Sequence, residues 1–374
     1  MQQASSSDQR FRVLVAAGGT GGHIFPAVAV VEQLQALTNN QCDTVFMGSR
    51  DRMEHVIIPK LGYSYVPMPI AGFKGIHLST LTLPLKVLNS IRLARQTIRT
   101  FRPHAVVCTG AYISYPAGVA AAREGVPLIV LESNLNPGKT NARLAPNATA
   151  VVVAFAESVA QYPAELRSKL HVLGNPVRAQ IDQRHSAQGA RTALGLDPER
   201  PTVFVFGGSL GAQTMNRAIE QHLPMIAQQP WQLLWQTGKS YTPMAEIPSN
   251  VRVMPFVEDM GQAYAAADLV VSRSGATTIA ELGIVGKPAV FVPLPSASTN
   301  EQVHNARVCE RNDAAIVLAD ADLGTSLFST ITDVMNNSDK RASMAAAMLL
   351  LGKPNAAHDA AALILQVSGW RGQP

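Results

Sequence analysis

Twice in this chain an apolar run ends in a cluster of glycines and passes at once into a helix-length segment. The first instance is FRVLVAAGGTGGHIFPAVAV at residues 11–30, and the second is PTVFVFGGSLGAQTMN at residues 201–216. A strand that is apolar on every residue is stable only where both of its faces are covered. Each run therefore predicts a strand inside a parallel sheet with helices on both sides. The rest of the chain keeps the same alternation. In the first half the candidate strands are 11–17, 42–48, 64–68, 104–110, 127–133 and 148–155, with helix-length segments such as 26–37 and 85–100 between them. In the second half they are 201–209, 231–238, 250–256, 267–275, 288–295 and 314–319. Strand-then-helix order over this length predicts an α/β protein.

At 374 residues the chain exceeds one core of ordinary size, so two Rossmann-like domains are expected, hinged near GNPVR at 174–178. The expected boundaries are 1–175, 176–350 and a final apolar helix within 351–374. In such a pair, ligands bind at the carboxyl ends of the strands, where the domains are expected to face each other. Hydrophobic residues make up 47% and charged residues 15%, which excludes a disordered chain. No apolar run reaches the length of about 18 residues needed for a membrane span. The opening MQQASSSDQR has no apolar secretion segment. Cys42, Cys108 and Cys309 are odd in number and scattered, so neither a disulfide framework nor a metal site is expected, and a reducing cytoplasm suits them. His55, His77, His104, His171 and His185 likewise have no ligand spacing. The net charge of +5 is uneven: residues 1–175 carry +7 and the remainder −2, so the first half is expected to meet any anionic surface.

The glycine turns carry the chemistry. Glycine permits positive φ and close approach of the backbone, and amides at a helix start attract anions. Gly18 to Gly22 lack the third glycine of a dinucleotide fingerprint, since Ile24 stands there, and no Gly-Lys-Ser/Thr of a P-loop follows. A tight structural turn would also account for glycines alone. His23 adds a side chain able to take a proton near neutral pH. In the second turn Ser209 can donate to a phosphate, with the amides around residues 208–212 beside it. In SRSGATTIAELGIVGKP, at 272–288, Glu281 lies about two turns into a helix, where it could accept both hydroxyls of a ribose or be an ordinary solvated glutamate.

Taken together, GGTGGHIFPA, RMEHVIIPKLG, GAYISYPAGVAA, GNPVR, GGSLGA, FVEDM and SRSGATTIAEL resemble, in that order, the MurG family. Its members are the undecaprenyl-diphospho-muramoylpentapeptide N-acetylglucosaminyltransferases of peptidoglycan synthesis. The resemblance implies a GT-B fold, with two parallel sheets facing across a deep cleft, and a last helix that crosses back to the first domain. It implies an inverting transfer of N-acetylglucosamine from UDP-N-acetylglucosamine to the C4 hydroxyl of the muramoyl sugar of lipid I, with no metal or cofactor. Thr20, Gly21 and Gly22 would lie against the donor sugar and diphosphate, with Asn134 also on the donor side. Arg178 and Ser209 would contact the phosphates, and the backbone of Val257 the uracil edge. Ala276, Thr277, Thr278 and Glu281 would hold the nucleotide, and Gln302, with Glu301 beside it, the sugar hydroxyls. Tyr112 and Ser114 would lie on the acceptor side. The chain departs from the family at Leu131, where a histidine is common, and at Ser133, Ala111 and Glu301. For the general base the sequence offers His23, with Glu132 as the second candidate.

A lipid acceptor implies a membrane-facing patch on the cytoplasmic face of the plasma membrane. Phe73, Lys74, Ile76, Leu78 and Leu81 mix apolar and cationic side chains and are the expected patch. From Leu88 to Arg99 the leucines are expected in the core and the arginines on a solvated face. Proteins of cell-wall synthesis are candidate partners, and nucleic acid is not expected. Two other readings stay open at this point: a UDP-N-acetylglucosamine 2-epimerase, and a nonenzymatic nucleotide-sugar sensor.

Overall fold

The computed structural model describes residues 10–70, 82–182, 185–208, 211–295 and 300–371. The chain forms two compact units, Met1–Arg178 together with Pro354–Pro374, and Ala179–Lys353.

In the first unit the strands are β1 (Phe11–Ala16), β2 (Cys42–Ser49), β3 (Ser64–Met68), β4 (Ala105–Cys108), β5 (Leu128–Glu132), β6 (Ala150–Val153) and β7 (Leu170–Val172). Helices α1 (Gly21–Leu37), α2 (Glu54–Lys60), α3 (Leu83–Phe101), α4 (Ala111–Glu124) and α5 (Lys139–Leu144) connect them. All the described pairings are parallel, in the order β3-β2-β1-β4-β5-β6-β7. Successive residues of β1 point to opposite cores. Phe11, Val13 and Val15 pack with Ile24, Val28 and Val31 of α1, while Leu14 and Ala16 pack with Ala94, Ile98, Ile113 and Ala117 of α3 and α4. That is the double burial an all-apolar strand requires.

The second unit has β8 (Thr202–Phe206), β9 (Gln232–Gln236), β10 (Val251–Met254), β11 (Leu269–Ser272), β12 (Ala289–Phe291) and β13 (Ala315–Val317). They form a parallel sheet in the order β10-β9-β8-β11-β12-β13. Its helices are α6 (Ala187–Ala193), α7 (Gln213–Ile226), α8 (Met260–Ala266), α9 (Ala276–Val285), α10 (Glu301–Arg311), α11 (Leu323–Met335) and α12 (Ser338–Leu351). A last helix, α13 (Ala356–Ser368), belongs to the first unit, where Ala360, Ala361, Leu363 and Ile364 join the core of β1 and α1.

Three local expectations change. Helix α1 starts at Gly21 rather than at Pro26, so Gly21, Gly22 and His23 form its first turn. Strand β7 is an edge of only three residues, too short for a pattern to mark it. On α3 it is Ser90, Ala94 and Ile98 that turn inward, while Leu85 and Leu88 are exposed, so the leucine at 88 is not a core residue.

Candidate active site

In a doubly wound sheet, ligands gather where the strand order reverses, outside the carboxyl ends of the two central strands. In the first unit those strands are β1 and β4, and the turns that follow them interlock. Thr109 N–H and Ser114 Oγ both donate to the Ala16 carbonyl, at 3.1 and 2.9 Å, and Gly110 N–H donates to Ser114 Oγ at 3.1 Å. Ser114 is therefore fully buried and builds this junction. His23 lies above the junction with Nδ1 at 2.7 Å from the Thr109 carbonyl oxygen. A carbonyl can only accept, so Nδ1 carries the hydrogen, and the neutral ring keeps its lone pair on Nε2. The ring packs on Gly110, where φ is +100° and an added Cβ would lie 3.2 Å from His23 Cε1. Tyr112 opens α4 half-buried, and burial raises its phenol above the usual range, opposed by Arg52 nearby.

The amides of the first glycine turn are not all available to an anion. Gly19 N–H donates to Glu54 Oε2 at 3.1 Å, and Glu54 Oε1 accepts from Ser49 N–H at 3.1 Å and Ser49 Oγ at 2.6 Å. Thr20 is exposed and does not cap α1 with its side chain. Arg178 stacks over the Phe25 ring, 4.2 Å from its centroid, so the cation lies beside the first turns of α1.

Glu132, at the end of β5, is buried. Its Oε1 accepts from Asn134 N–H at 2.9 Å, and its Oε2 from Gly138 N–H at 2.8 Å and Asn141 Nδ2 at 2.9 Å. Through these bonds Glu132 organises the 134–141 loop that carries Asn134. Leu131 is buried in β5, and Ser133 Oγ bonds Asn175 Oδ1 at 2.7 Å, joining the same loop to the GNPVR segment.

The central strands of the second unit are β8 and β11. After β8 the chain turns through Gly207 and Gly208 and reaches α7 by way of Gly211, with φ +79° and the Thr237 carbonyl oxygen only 2.2 Å from where a Cβ would stand. Among the described residues no N-cap side chain bonds the start of α7 or α9, and each helix turns the positive end of its dipole to the carboxyl edge of the sheet. Ala276, Thr277 and Thr278 form the first turn of α9. Glu281, one turn on, is buried and accepts from Tyr264 Oη at 2.8 Å, so it is not a solvated helix glutamate. Gln302, beside Glu301 in the first turn of α10, accepts Leu294 N–H at 2.9 Å through its side chain, and its carbonyl accepts Ser274 Oγ at 2.8 Å. Val257 is buried, and its N–H is already bonded to Gln236 Oε1 at 2.9 Å. Arg273 bridges the ends of three strands and α7, through Asp320 at 2.6 Å, Thr214 Oγ1 at 3.0 Å and the Val292 carbonyl at 3.1 Å.

Sequence reasoning missed Glu54, Phe25, Gln236, Tyr264 and Arg273. Glu54 alone had a signal, since it precedes Ile58 by one helical turn on the inward face. Ser209 and the patch residues Phe73, Lys74, Ile76, Leu78 and Leu81 lie outside the described residues. Among the described residues no cluster of three or more His, Cys, Asp or Glu could hold a metal, and no helix is long and apolar enough to cross a membrane.

Comparison with known proteins matches residues 13–153 to the glycosyltransferase family 28 N-terminal domain and residues 202–363 to the glycosyltransferase family 28 C-terminal domain. The UDP-N-acetylglucosamine–N-acetylmuramyl-(pentapeptide) pyrophosphoryl-undecaprenol N-acetylglucosamine transferase of Parabacteroides distasonis is 37% identical over 340 residues, covering 89% of this chain and 91% of the relative. The crystal structure of Acinetobacter baumannii MurG superposes with a TM-score of 0.77 at 28% identity, covering 96% of this chain and 99% of that one. A proposed UDP-N-acetylglucosamine 2-epimerase from Listeria monocytogenes reaches 0.69 at 14% identity, with 96% of each chain covered, and shows a shared fold alone.

Proposed function

The chain belongs to glycosyltransferase family 28 and, within it, to the MurG family, and from that premise we propose how its residues perform the transfer. The reaction is the movement of N-acetylglucosamine from UDP-N-acetylglucosamine to lipid I, giving lipid II and UDP; the epimerase reading is not favoured.

The acceptor C4 oxygen attacks the anomeric carbon as the bond from that carbon to the β-phosphate oxygen breaks. Attack from the face opposite the leaving group inverts the configuration. Positive charge grows on the sugar ring and negative charge on the departing phosphate. The ends of α7 and α9, Arg178 and Ser209 are the groups suited to that negative charge. Glu281 takes the ribose hydroxyls, Val257 the uracil, and Gln302 with Glu301 the sugar. Thr20, Gly21, Gly22 and Asn134 serve the donor from the first unit, with Tyr112 on the acceptor side.

His23 Nε2 takes the proton from the acceptor hydroxyl. The observation that carries this is the bond from Nδ1 to the Thr109 carbonyl, which aims the ring and leaves the basic lone pair on the other nitrogen. An assay with labelled donor and a lipid I analogue, scoring lipid-linked disaccharide and UDP, tests both the reaction and the base. His23→Ala should lower turnover about 10²- to 10⁴-fold while keeping the affinity for UDP-N-acetylglucosamine. Near-full turnover would remove His23 from the role.

The first unit docks on the anionic cytoplasmic face of the membrane. Exposed Leu85 and Leu88 of α3, with Arg92 one turn further, support this, as does the charge of +7 over residues 1–175. Each cation near such a surface contributes about 1 kcal/mol. Binding to vesicles should rise with acidic lipid and fall with salt; indifference to both would reject the docking face.

A further inference from the structure

The donor assignment gives separate tasks to two backbone segments of the second unit, the turn after β8 for the diphosphate and the segment after β10 for the base. One buried side chain holds both. Gln236 ends β9 with 3% of its surface exposed; its Nε2 donates to the Gly208 carbonyl at 3.1 Å, and its Oε1 accepts Val257 N–H at 2.9 Å. These partners fix which way the amide points, because Val257 N–H can only donate and the Gly208 carbonyl can only accept. The next residue buttresses the same turn from its other end. The Thr237 carbonyl oxygen stands 2.2 Å from the position a Cβ at Gly211 would take, and it accepts Asn216 Nδ2 of α7 at 2.8 Å. The end of β9 thus touches the glycine turn at Gly208 and Gly211, the start of α7, and the base segment at Val257.

We propose that Gln236 is a positioning residue for donor recognition, setting the distance between the base-reading backbone at Val257 and the diphosphate turn at Gly208. The inference rests on the donor assignment above and deepens it. With its N–H committed to Gln236, Val257 reads a pyrimidine through its carbonyl. Uracil N3 carries a hydrogen to donate there, and cytosine N3 does not. The same bond that keeps Val257 in place therefore supports the choice of base, and the second bond conveys that placement to the phosphates.

The test is equilibrium binding of UDP, CDP and uridine to the full chain, as wild type, Gln236→Met and Gln236→Glu, with melting measured alongside. Methionine keeps the length and removes both bonds; it should weaken UDP about tenfold and shrink the preference for UDP over CDP. Glutamate keeps an acceptor for Val257 but sets an oxygen against the Gly208 carbonyl. It should keep the UDP:CDP ratio and lose affinity for UDP relative to uridine. Variants that melt earlier yet keep both wild-type ratios would give Gln236 a merely structural role and overturn the proposal. A wild-type chain that binds UDP and CDP equally would overturn the donor assignment itself, and this inference with it.

Discussion

Carboxyl groups buried in a protein persist where donors surround them, and three of them organise the strand ends here. Glu54 ties Gly19 to Ser49, Glu132 closes the 134–141 loop, and Glu281 meets Tyr264. Glu132→Gln would set an amide hydrogen against Gly138 N–H or Asn141 Nδ2. It should cost about 1–3 kcal/mol of stability, seen as a lower denaturation midpoint, while the folded fraction turns over better than His23→Ala does. Tyr264→Phe removes one hydroxyl and leaves the ring packed against Phe204 and Phe206. It should weaken UDP-N-acetylglucosamine about tenfold and blunt the preference for UDP over 2′-deoxy-UDP, read by competition binding. Cys42 and Cys108 are buried and outside any disulfide, and burial pushes the Cys42 thiol up to about 11 and the Cys108 thiol up to about 12. Since the thiolate is the reactive form, a raised pKa means less of it at any given pH. Iodoacetamide at pH 8 should leave both unlabelled in the native chain and label both after denaturation. The place of His23 at the glycine turn was legible, because it directly follows the glycines that open α1. The partners of the buried carboxyls were not, because Gly19, Ser49 and Glu54 meet only once the strand order is known.

Elements were read from apolar runs, and the runs gave twelve strands whose ends then needed trimming by a few residues. The apolar reading runs past the last ladder bond, as at Gly275, which stands at the start of α9 while β11 ends at Ser272. Helix α1 shows the opposite error. Two glycines and an inner Pro26 argue locally for a later start, yet the backbone is helical from Gly21 because the turn after β1 delivers it directly into the helix. Element geometry also makes Gly211 a sensitive position. Alanine there would meet both an unfavourable φ of +79° and the rigid Thr237 carbonyl. Gly211→Ala should destabilise the second unit by more than about 1 kcal/mol and reduce UDP affinity together, measured by melting and titration. A variant with unchanged UDP affinity would show that α7 need not begin where it does.

At the scale of the molecule, the first unit is discontinuous in sequence. Its core is closed by α13, which comes only after the whole second unit has been made. Leu363 and Ile364 are buried against β1 and α1, and Trp370 meets Phe11 edge-on at 5.6 Å. Burying an aliphatic side chain of this size stabilises by about 1.5–3 kcal/mol, so the leucine and isoleucine together contribute roughly 3–6 kcal/mol. A domain has about 5–15 kcal/mol in all, so that loss is a large fraction of the first unit's stability. The second unit keeps its own strands and helices after the same cut, because they end before Lys353. A chain stopped after Lys353 should therefore melt in two steps under calorimetry. The first unit's transition should fall by about 10 °C or more, with the second unit's left in place. UDP binding, assigned chiefly to the second unit, should survive the truncation while turnover, which needs His23 held in a folded first unit, is lost at the lower transition. A single unshifted transition with full turnover would mean that β1 and α1 form a sufficient core without the returning helix.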